Sequence, residues 1–136
     1  MMLARMLLIT GSLVLAAGVL CGVPFYLDIV FERPPEKVRA WRVAHATLIS
    51  DGLFMLVVAI LLPDLILGAP SRLVLAWSLV LSGWGFAFAL AGGAWAGRRG
   101  LVPTPIGVET VFFLGHAVGA AGALVGILLL VAGLFR

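Results

Sequence analysis

The sequence predicts an all-α polytopic membrane protein, a bundle of four transmembrane helices, on three observations. Hydrophobic residues make up 63% of the 136 and charged residues 11%, against roughly 45–50% and about 25% in a soluble globular domain. Four stretches, Met6 to Leu27, Val43 to Leu62, Leu73 to Gly97 and Thr110 to Phe135, hold no Lys or Arg and a single acid, Asp51. At 22, 20, 25 and 26 residues each reaches the roughly 20 that a helix needs to cross hydrocarbon. Lipid offers the backbone no hydrogen-bond partners and the alternating polarity of a closed barrel is absent, so the stretches are helices. They account for 93 of the 136 residues. The chain therefore reads as one membrane domain, 1–136, with no room for a soluble catalytic or nucleic-acid-binding module.

Each element has its own justification. The first stretch is longer than the roughly 7–15 residues of a signal-peptide core, and Leu20 stands where a lipoprotein cleavage site before Cys21 would want a small residue. It is expected to be a retained helix. Cys21, alone in the chain, forms no internal disulfide and no metal site by itself. Pro24, Pro34 and Pro35 are expected to end helix one and stiffen a first loop over 28–42. Pro63 and Pro70 bracket the loop between helices two and three, and Pro103 and Pro105 shape the one over 98–109.

The net charge of +3 comes from nine basic residues, all at predicted membrane edges or in loops, where they act as lipid-surface and topology signals and not as a nucleic-acid footprint. Arg33, Lys37, Arg39, Arg42, Arg98 and Arg99 fall on one side, Arg5, Arg72 and Arg136 on the other. The excess sets loops 28–42 and 98–109 on the cytoplasmic side of the cell membrane and both termini outside. On helix four, Gly115, Gly119, Gly122, Gly126 and Gly133 share one face. Such a row serves close helix packing or gives a flat ligand such as a porphyrin a smooth surface. Gly11, Gly18 and Gly22 form a shorter row on helix one, where packing is the default.

Ionisable groups inside membrane helices are costly and usually functional; here they are His45, Asp51 and His116. Two histidines on separate helices raise haem or another transition-metal site, since neutral imidazole is a common iron ligand. A zinc site would need more ligands at close spacing. His45 follows Arg42 by one turn, placing its ring just inside the hydrocarbon edge. This suits a haem whose propionates meet Arg42 or Arg39, or Arg98 and Arg99, at the interface. An interfacial histidine bonded to a backbone carbonyl is the equal alternative. His116 reads as a second axial ligand, a polar group near a bound substrate, or a buried histidine bonded to a neighbouring helix. Asp51, with Thr47 and Ser50, makes a polar stripe about 120° round helix two from His45, at roughly 100° per residue. A carboxylate there is paired, protonated or catalytic. One flat ligand reaches both His45 and Asp51 only if it is broad or if the two come from different protomers.

Trp41 to His45 opening helix two, Asp51-Gly52, Leu62-Pro63, Gly83-Trp84 and Arg99-Gly100-Leu101, in this order and at this spacing, resemble styrene oxide isomerase over about the last two thirds of the chain. The resemblance implies a homotrimer of small four-helix membrane subunits holding haem b, with His45 as iron ligand. It also implies an isomerase that converts an apolar epoxide to an aldehyde by hydride migration, with ferric haem as Lewis acid. The family's substrate-holding asparagine and tyrosine fall at Asp51 and Leu90. Leu90 has no hydroxyl, and the single tyrosine, Tyr26, lies at the far end of helix one. His116 has no match in the family and stands as a candidate for the missing polar group. Beside the isomerase stand two other readings: a haem protein with His45 and His116 as axial ligands, serving electron transfer or sensing, and a haem-free structural or transport subunit.

Overall fold

A computed structural model describes residues 1–101 and 106–135; the expectations for Pro103, Pro105 and Arg136 lie outside these. Among the described residues four helices run antiparallel in sequence order: α1 (Met2–Val30), α2 (Pro35–Leu61), α3 (Ala69–Ala96) and α4 (Val108–Leu134). All four are long and apolar enough to cross a bilayer, consistent with a multi-pass membrane protein.

The first connection corrects the expectation drawn from its prolines. Pro24 lies inside α1 and does not end it, because a membrane helix can re-satisfy a backbone group freed by proline through its neighbours. Asp28 to Val30 complete α1, and residues 35–42 are the opening turns of α2, so the expected loop over 28–42 shrinks to residues 31–34. Pro35 occupies the first helical turn, where the missing N–H would have had no partner. At the other end of the bundle, Arg72 donates to the carbonyls of Leu67 at 3.1 Å and Leu65 at 2.8 Å and ties the 62–68 turn to α3.

Within α3, residues Ala87–Gly92 form a π-helical turn. Its wider winding changes the direction of every side chain that follows, and such turns recur at functional sites. The helix ends at Gly97, in the left-handed region at φ 66°.

Packing divides the bundle into two pairs, α1 with α2 and α3 with α4, joined through α3, which packs against both α1 and α2. The π turn of α3 touches α2, whereas α2 and α4 scarcely meet. Leu7, Val14, Leu48, Met55, Leu75 and Leu79 are fully buried at the centre. The glycine rows explain how the pairs approach so closely. A Cβ on Gly18 would lie 2.7 Å from the backbone N of Ile49, and one on Gly52 would lie 2.6 Å from that of Leu15. On α4, Gly115, Gly119, Gly122, Gly126 and Gly133 meet Ala89, Phe86, Ser78, Leu79 and Leu67 respectively. That face is filled by α3 and the turn before it, so the α4 row serves helix packing and the porphyrin reading of it is set aside.

Candidate functional site

His45 sits half-buried on the face of α2 turned to α1. Its Nδ1–H donates to the Gly18 carbonyl at 2.8 Å, which leaves Nε2 carrying the lone pair and without a protein partner among the described residues. A histidine that binds a metal commonly has its other nitrogen fixed in this way. The ring lies against Gly22, where a Cβ would stand 3.0 Å from its Cε1 and 3.9 Å from Nε2. Phe25 flanks it with centroids 6.1 Å apart. Gly18, Gly22 and Phe25 recur along one face of α1, so the antiparallel pairing of α1 and α2 builds this cradle. Among the described residues no group of three His, Cys, Asp or Glu side chains comes together to hold a bare ion. The single free imidazole nitrogen of His45 could serve only a metal that brings most of its other ligands with it.

Arg42, one turn before His45, is exposed at the membrane edge. Arg98 and Arg99 reach the same end of the bundle but line a different cavity, of about 280 Å³, with Arg39, Leu90 and His116. His45 is not among its walls. His116 donates from Nε2 to the Arg99 carbonyl at 3.1 Å. Glu109, two turns earlier on α4, accepts from the Gly100 N–H at 2.7 Å and faces the Arg98 guanidinium at 3.6 Å. Glu109 and His116 do not touch; they grip successive residues of one strap, 98–100. Gly100 is required within it. Its φ is +59°, and a Cβ would run into Phe112.

Asp51 faces α3. Its Oδ2 is buried with no hydrogen-bond partner among the described residues and would stand 3.5 Å from a Cβ on Gly83. The residue borders a groove of about 420 Å³ shared by Thr47, Ser50 and Phe54 of α2 and Ala123 and Ile127 of α4. This is the gap left where α2 and α4 fail to pack. Ser82, next to Gly83, also buries a hydroxyl without a partner among the described residues.

One chain thus sets its three membrane-embedded ionisable residues apart: His45 against α1, Asp51 on the α2–α4 groove, His116 beneath the strap. Leu90 and His116 do share a cavity. Sequence reasoning missed the Gly18 carbonyl, Gly22 and Phe25 around His45; the α1 glycine row was the available signal, had it been paired with His45 through the helix register. Nothing in the residue order marks the π turn.

The family model for styrene oxide isomerase matches residues 3–135, nearly the whole chain. No curated protein and no solved structure matches it.

Proposed function

The chain belongs to the styrene oxide isomerase family, and from that premise we propose that it is a haem b membrane enzyme that isomerises an apolar epoxide to a carbonyl compound. The observation that supports this best is the state of His45, with Nδ1 committed to Gly18 and Nε2 free beside a residue without a side chain. When bound there, ferric haem supplies a Lewis acid for the epoxide oxygen without net redox change.

The chain's own residues do the rest. His45 would hold the iron, its ring fixed by the Gly18 carbonyl and flanked by Phe25. Arg42 meets the carboxylates at the membrane edge, with Arg98 and Arg99 the alternative partners from the strap. Asp51 orients the substrate: its unpartnered Oδ2 takes a hydrogen bond or, when protonated, gives one. His116 is the second polar candidate, beside Leu90. Apolar helix faces would exclude water from the site, and an apolar epoxide would reach it from the bilayer. Since His45 and Asp51 occupy different faces of α2, they would serve one substrate if the ligand is broad or if two copies of the chain meet, in a homo-oligomer for which the family resemblance suggests a trimer.

The test is the absorption spectrum of freshly extracted protein, followed by turnover of an aryl epoxide to its aldehyde. A Soret band that His45→Ala abolishes, with turnover that Asp51→Ala suppresses, supports the assignment. A colourless wild-type preparation overturns it.

A further inference from the structure

The groove between α2 and α4 sets a carboxylate beside an apolar wall, midway along the helices. Asp51 borders it with Thr47, one turn earlier, and with Ser50, while Phe54, Ala123 and Ile127 supply the apolar side. Its volume of about 420 Å³ falls within the roughly 300–1,000 Å³ of small-molecule sites. No Lys, Arg or His lines it among the described residues, and the one recorded ion pair, Arg98 with Glu109, lies elsewhere. Asp51 thus meets the groove with no cation and, at Oδ2, with no donor from the described residues. An acid at membrane depth marks a functional site, and a buried acceptor left without a hydrogen bond is costly until something donates to it.

The chemistry of an epoxide narrows what the donor is. An epoxide oxygen only accepts hydrogen bonds, as does the oxygen of the opening ring. An ionised carboxylate also only accepts, so Asp51 in that state has nothing to give a bare aryl epoxide. A hydroxyl elsewhere on the same substrate resolves the mismatch. It donates to Oδ2, and its own lone pairs accept from Thr47 or Ser50. An ammonium group would also donate, but it would carry a full charge to membrane depth; a neutral alcohol reaches the groove from lipid without one.

On the premise that the chain isomerises an apolar epoxide, we propose that its substrate is a hydroxy-epoxide. Asp51 binds the hydroxyl, and the apolar body lies against Phe54 and Ile127. The hydroxyl takes no part in the bond changes, so the product is a hydroxy-carbonyl compound of the same formula.

The experiment uses the full-length protein, as purified with any haem it carries, in nanodiscs, with empty nanodiscs as the blank. In one arm the unreactive probes phenylpropanol, phenylpropylamine and propylbenzene are titrated, with binding read by saturation-transfer NMR. In the other, kcat and KM are compared for an aryl epoxide bearing a hydroxymethyl group and for its methyl counterpart. The alcohol is expected to bind about tenfold more tightly than the hydrocarbon, the effect of one hydrogen bond to a charged acceptor. The hydroxymethyl epoxide is expected to show a KM lower by about the same factor. Asp51→Leu erases the binding preference, and Asp64→Asn, in the turn between α2 and α3, keeps it. The wild-type comparisons decide the matter whether or not Asp51→Leu folds. Equal binding of alcohol and hydrocarbon, or tighter binding of the amine than of the alcohol, overturns the inference. Turnover of both epoxides with equal KM removes the hydroxyl and leaves the isomerase. Turnover of neither, with the alcohol still preferred, removes the isomerase and leaves a hydroxyl site on Asp51.

Discussion

At the scale of single residues, the chemistry depends on which atoms are already committed. His45 has one nitrogen engaged and one free, so its replacement by alanine is expected to abolish haem retention, read as loss of the Soret absorbance on purification. Gly22→Val tests the cradle without touching the ligand. A branched side chain where a Cβ already stands 3.0 Å from the imidazole tilts the ring and is expected to weaken haem affinity about 10–100-fold, the usual range for groups that orient a ligand. Haem-transfer kinetics to apomyoglobin measure it. Asp51→Ala is expected to lower kcat/KM for an epoxide by about 100-fold with the haem spectrum unchanged, since Asp51 and His45 lie on different faces of α2. Loss of haem in that variant would show that Asp51 acts in folding or in the haem site. His45 and Asp51 stand out in the sequence because a membrane interior has so few ionisable groups. The Gly18 carbonyl does not, because a backbone atom leaves no trace in composition and its role depends on the register of two helices.

At the scale of elements, the strap over 98–100 and the glycine face of α4 carry the most strain-sensitive geometry. Gly100→Ala forces a left-handed backbone on a residue with a Cβ and drives that atom into Phe112. The cost is about 1–3 kcal/mol, seen as a lower midpoint for loss of helicity in detergent. Gly122→Leu is expected to lower it further, because a Cβ at this position already collides with the Ser78 carbonyl and α3 would have to move away along its length. The four spans were legible because apolar length alone specifies them. Their ends were not: Pro24 reads as a terminator in water, yet in lipid the helix continues through it, and Pro35 begins a helix it had been expected to hold off. The π turn of α3 packs against α2 and α4, and no local sequence pattern announces it.

At the scale of the whole molecule, the basic residues make a directional statement. A cysteine introduced at Glu32, in the short turn between α1 and α2, is expected to react with an impermeant maleimide only after the cytoplasmic face is opened, and one at Asp64 before. The reverse pattern would invert the topology. Cys21 is buried and gives little background.

The division into two tight helix pairs bears on assembly as well. Each pair seals its own glycine seam, and the contact between pairs is thinner, so each hairpin is a unit that can settle in the bilayer before it finds its counterpart. Severing the chain at Asp64 and producing the halves separately should therefore yield two inserted fragments that recombine, with recovery limited by lateral encounter in the membrane and not by refolding of either half.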